Sequence, residues 1–150
     1  MVTQSGHNAE PTGDKLLIVD DDVCFGALMS AVAKAHGFRP HFFTSLLEMG
    51  SFARIRDYDL ALVDYYLESL KGDEIAEYVD TFFSQVPVII VSAEDFRARP
   101  KDHWPASVRR FVPKTDGPER IIEAAKQVLK RERMLTRLAG VPVGAVGATP

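Results

Sequence analysis

Three short runs of this chain are almost wholly apolar: LLIV at residues 16–19, LALV at 60–63 and VPVIIV at 86–91. A strand with one face in water alternates polar and apolar residues, whereas a strand covered on both faces does not. Runs this short and this apolar, bounded by polar or turn-forming residues, therefore predict central strands of a sheet sandwiched between helices. With two less pronounced runs, the strands are expected at Lys15–Val19, Pro40–Phe43, Leu60–Val63, Val86–Val91 and Arg110–Val112. The intervening segments carry helical periodicity. Strand and helix alternating in this way predict an α/β domain with a parallel sheet and right-handed crossovers.

The helical segments differ in clarity. Phe25, Leu28, Met29 and Val32 recur at i, i+3, i+4 and i+7, and Gly37 follows as a helix-ending residue. Ser45 and Glu48 have capping-box spacing, which predicts a short second helix. Ile75, Val79 and Phe82 form one apolar face of a third. Ile121, Ile122, Ala125, Val128 and Leu129 do the same for a longer last helix that starts near Pro118. Between Ala93 and Arg109 the pattern fails, because Pro100 and Pro105 oppose a regular helix. The expected organisation is a flexible N-terminal tail over 1–14, a single domain over 15–138 and a flexible C-terminal tail over 139–150.

Bulk properties exclude several classes. A net charge of -3 offers no bulk field for nucleic acid or an anionic membrane. No apolar run approaches the roughly 20 residues that span a bilayer. The N-terminus lacks the basic and apolar regions of a signal peptide. Cys24 is the single cysteine, so an internal disulfide is impossible; it reads as a buried small hydrophobe in a cytoplasmic protein. His7, His36, His41 and His103 share no zinc-ligand spacing. The basic run Lys130, Arg131, Arg133 and Arg137 reads as the solvated end of a helix. Trp104 has no stacking partner that the sequence identifies.

In open parallel sheets, ligands bind beyond the carboxyl ends of the strands. The first strand ends in Asp20, Asp21 and Asp22, the third in Asp64 and the fourth in Ser92; Lys114 follows the fifth. Carboxylates converging on one sheet edge repel one another, and a divalent cation offsets that repulsion most simply. An all-oxygen site suits magnesium. A lysine and a hydroxyl beside it are suited to the oxygens of a phosphoryl group. Asp22 is better placed as a helix cap.

In this order, LLIVDDD, ALVDYY, VIIVSA and FVPK, the chain resembles the receiver domain of two-component response regulators from Lys15 to about Leu135. The resemblance implies a flavodoxin-like, doubly wound five-stranded parallel sheet of order 2-1-3-4-5 with helices on both faces. It implies that Asp64 takes a phosphoryl group, and that Asp20, Asp21, Asp64 and the backbone carbonyl of Tyr66 hold Mg2+, Asp20 through a water. Ser92 and Lys114 would bind the phosphoryl oxygens, Lys114 pairing with the carboxylates before phosphorylation; Ala93 would keep the approach open, and Phe111 would be the switch aromatic. Tyr66 and Glu94 would tune the lifetime of the acyl phosphate. The implied partners are a histidine kinase or phosphotransfer protein, a downstream protein target and a second copy of the chain as a homodimer, with no direct contact to nucleic acid or membrane. Such a module is a signalling phosphoacceptor of the single-domain type, assisting only its own phosphorylation and dephosphorylation, since no output domain fits after Leu135.

Two departures stand out. Thr115 follows Lys114 where the family usually has a cis proline; a cis bond there would cost about 2.5–4 kcal/mol, so trans is expected. The proline-bearing stretch before Phe111 departs from the family's fourth helix. Two other functions compete. LLIVDDDV also fits the opening of a haloacid-dehalogenase-like phosphatase with Asp20 as nucleophile, but no strand-borne acidic pair follows Lys114. A pseudo-receiver, a binding module that takes no phosphate, is the other.

Overall fold

The computed structural model describes residues 12–67, 73–93 and 104–140. Along the chain run β1 (Lys15–Val19), α1 (Val23–Ala35), β2 (Arg39–Phe43), β3 (Leu60–Asp64), α2 (Asp73–Phe83), β4 (Val88–Ser92), β5 (Val108–Pro113) and α3 (Pro118–Leu138). The strands form one parallel sheet in the order β2-β1-β3-β4-β5. This is the doubly wound order expected. β3 and β4 are buried at every position, which is why their sequences do not alternate.

Two cores lie on the two faces of the sheet. On one, Leu16, Ile18, Leu62, Ile89 and Val91 pack with α1 and α3 through Met29, Ala33, Ile121, Ala125 and Val128. On the other, Leu17, Val63 and Ile90 pack with α2 through Ile75, Val79 and Phe83. Phe83 is the fully buried aromatic of α2, while Phe82, expected on the inner stripe, is half-buried beside it.

The inner stripe of α1 is Gly26, Met29 and Ala33, with Phe25 and Val32 at its flanks. Leu28, expected inside, is 50% exposed. The cause is Gly26: the Phe42 ring of β2 occupies the space a Cβ would take, so the helix lies closest to the sheet along that line. Cys24 falls on the outward side and is exposed, which corrects the expectation of a buried thiol. Gly26→Ala should destabilise the domain by roughly 1–3 kcal/mol, because overpacking of Phe42 outweighs the better helix propensity of alanine. Urea unfolding measures this, and an unchanged midpoint would mean the ring moves aside freely.

The expected second helix is instead two 3-10 turns, Leu46–Met49 and Phe52–Asp57. Ser45 makes no side-chain cap. Glu48 instead reaches back one residue further, to Thr44, whose backbone N–H donates to Glu48 Oε2 at 2.9 Å and whose hydroxyl donates to Oε1. Gly50, at φ 73°, then ends the first turn. Gly37, at φ 85°, follows α1 as expected. The peptide bonds of the described residues are all trans, that between Lys114 and Thr115 included. Pro100, Glu94 and most of the irregular stretch before β5 lie outside the described residues, as do 1–11 and 141–150 of the expected tails.

Candidate phosphoryl-acceptor site

β1 and β3 are adjacent, with Val19 opposite Val63, so Asp20 and Asp64 leave the sheet side by side. Asp20 is 0% exposed and Asp64 4%. Asp21 stands next to them at the surface, and carboxylate oxygens of the three lie within 4.8 Å of one another. Asp20 is oriented from both sides: its N–H donates to Phe43 O at 3.1 Å, and its Oδ1 accepts from Asp22 N–H at 2.8 Å. Asp22 is the N-cap of α1, its Oδ1 accepting from Phe25 N–H at 3.1 Å. The third acid is thus a cap, as its spacing implied.

Lys114 enters from the 3-10 turn that follows β5. Its Nζ is 2.8 Å from Asp20 Oδ2 and 3.5 Å from Asp64 Oδ1. The same ammonium lies 4.4 Å from the centre of the Phe25 ring. Phe25 therefore helps to aim Lys114. Sequence reasoning counted it only among the apolar residues of α1, since nothing in a one-dimensional pattern brings residue 25 to residue 114.

The charge states follow from this crowding. Burial pushes the Asp64 carboxyl up to about 6, and the negative charge of Asp20 adds to the rise, while Lys114 and the Tyr66 N–H oppose it. Asp20 is raised for the same first reason, burial, with Lys114 and the Asp22 N–H opposing. Burial alone would lower Lys114; contact with Asp20 and the charge of Asp64 outweigh it and hold the lysine above its ordinary value. One lysine does not satisfy the set. Asp20 Oδ2 is buried and receives no well-directed hydrogen bond, despite the ammonium beside it. An all-oxygen donor set with a surplus of negative charge and an under-coordinated buried oxygen fits a hard divalent cation.

Ser92 is fully buried at the end of β4, one residue beyond Val91, which pairs with Asp64; Ala93 follows it, exposed. Phe111 pairs with Ile90 on β5 and is half-buried. Tyr66 is 36% exposed at the rim, its ring 4.9 Å from that of Tyr65 and perpendicular to it. Trp104 does have partners: its ring lies 4.9 Å from Phe111 and 6.0 Å from Tyr65.

The family model of the response regulator receiver domain matches residues 16–126. The chain belongs to that family, the phosphoacceptor modules of two-component signalling. Among characterised relatives, the transcriptional regulatory protein ZraR of Klebsiella oxytoca is 28% identical over 78 residues, 52% of this chain. The match spans only 18% of ZraR. The fold resembles the receiver domain of the Francisella response regulator 1452, at 20% identity and a TM-score of 0.65, covering 80% of this chain and 99% of that one. It resembles equally the CheY-like receiver domain protein of Methanospirillum hungatei JF-1, at 20% identity and a TM-score of 0.64, covering 82% of this chain and 98% of that one. Neither a phosphatase nor a receiver that has lost its acceptor finds support in these likenesses.

Proposed function

We propose that Asp64 is the phosphoacceptor, and that its modification switches a surface read by a partner protein. The observation that carries this reading is the convergence of Asp20, Asp21, Asp64 and Lys114 at one sheet edge. A histidine kinase or phosphotransfer protein would supply the group. An Asp64 carboxylate oxygen attacks phosphorus, the new O–P bond forms as the donor's N–P bond breaks, and the leaving imidazole nitrogen is protonated. Asp20, Asp21, Asp64 and the Tyr66 carbonyl would hold Mg2+, which when bound neutralises charge on the transferring phosphoryl oxygens. Lys114 lies within reach of both carboxylates and can turn to the new phosphoryl group. Ser92 would donate its hydroxyl to another oxygen, and Ala93 leaves the approach open.

The test uses acetyl phosphate with Mg2+ and intact mass. The wild type should gain one phosphoryl group and Asp64→Asn none. A gain that survives in Asp64→Asn but vanishes in Asp20→Asn would overturn the assignment in favour of phosphatase-like chemistry.

The lifetime of the modified state rests on Tyr66 in the same reading. Hydrolysis needs water in line with the leaving carboxylate, and in this reading the Tyr66 phenol, packed against Tyr65 at the rim, would obstruct that line. Glu94, which lies outside the described residues, would in the same reading either orient a water or close the gap by hydrogen-bonding the tyrosine hydroxyl. Tyr66→Asn should lose phosphate several-fold faster than the wild type, as followed by loss of the added mass. Equal or slower loss would show that the ring is no shield.

A further inference from the structure

Trp104 stands where the chemistry of Asp64 requires no indole. It is half-buried just before β5, its ring inclined 72° to Phe111 and 49° to Tyr65. Tyr65 directly follows Asp64, is 3% exposed, and donates its N–H to Val91 O at 2.9 Å. Phe111 lies within β5, opposite Ile90. The indole thus links the end of β3 to β5 across β4, on the face where Val88 and Ile90 enter the core. Ser92 has the parity of Val88 and Ile90, so its side chain belongs to that same face. With Tyr66 against Tyr65, four rings run from the rim beside Asp64 to the middle of β5.

We propose that Trp104 is a positioning residue for phosphoryl acceptance: by packing on both Tyr65 and Phe111, it holds the arrangement that precedes modification of Asp64. The inference rests on the reading of Asp64 as acceptor. Any inward turn of Phe111, or approach of Ser92 to a group on Asp64, changes what the indole packs against. Removing the indole relieves that restraint and shifts the population toward the arrangement that binds a phosphoryl group.

The experiment uses the full chain with Mg2+ and beryllofluoride, a phosphoryl mimic. Fluorine NMR reports the adduct, and intrinsic fluorescence reports Trp104, the single tryptophan. The emission should change with the same midpoint as the fluorine signal. Trp104→Ala should bind the mimic on the order of 10-fold more tightly, within the usual range of conformational coupling. Trp104→Phe, which retains a ring, should stay close to the wild type. Emission that stays fixed while the adduct saturates overturns the proposal, as does wild-type or weaker affinity in Trp104→Ala. Should that variant fail to fold, the wild-type emission decides alone, its response supporting the proposal and its constancy overturning it. Absence of any adduct in the wild type is a different result, and removes the acceptor reading itself.

Discussion

Asp64→Asn is expected to raise the stability of the metal-free protein at pH 7, while it abolishes phosphoryl uptake. Asp64 has a folded pKa of about 6 against an ordinary value of 3.8. The folded state therefore holds this proton more tightly than the unfolded chain does. The contribution of the group to stability is complete below about pH 4, falls as pH rises through about 6, and stands as a penalty above that. A shift of this size corresponds to roughly 3 kcal/mol at pH 7. Removing the charge removes the penalty, so the urea midpoint should rise and its decline between pH 4 and 7 should flatten. Added Mg2+ should stabilise the wild type at pH 7 and leave Asp64→Asn nearly unmoved. A variant less stable than the wild type in metal-free buffer would show that Asp64 is not the strained member of the site.

Lys114→Ala should have the opposite effect. The lysine faces two buried carboxylates at 2.8 and 3.5 Å. Removing one partner of a buried ion pair costs roughly 3–5 kcal/mol, since the remaining charge loses its counterion. The side chain is 17% exposed, which puts the expected loss at the lower end. Mg2+ should restore part of it by neutralising the same oxygens. In the double variant with Asp64→Asn, the loss should be smaller than in Lys114→Ala alone, because fewer negative charges then need compensation. Denaturation with and without Mg2+ measures all three. Equal stability of Lys114→Ala and the wild type without metal would mean that the ammonium is not the counterion the geometry implies.

Strand positions were legible because burial on both faces leaves a local mark: nearly continuous apolar runs. The acids at the ends of β1 and β3 were legible for the same reason, as polar residues that interrupt such runs at the one sheet edge where ligands gather. Asp22 as a cap and Gly37 at the end of α1 followed from rules that act within a few residues. The segment after β2 differs from the capping-box helix expected because Glu48 folds back onto Thr44 rather than Ser45, a choice made by backbone geometry. Cys24 and Leu28 were placed inside by composition and period. Their exposure depends on how closely α1 can approach Phe42, which a missing Cβ at residue 26 decides.

By itself, then, the amino-acid order determined the alternation of strand and helix, the set of charged groups and the edge at which they meet. These depend on periodicity and on chain direction, both local properties. Tertiary structure alone decided the contacts that no local pattern marks. Phe25 under Lys114 and Trp104 between Tyr65 and Phe111 are contacts between segments far apart in the chain. The rise of the Asp64 carboxyl is of the same kind, because it depends on burial and on the distance to Asp20. Desolvation and Coulomb energy depend on separations in space, and these exist only once the sheet has assembled.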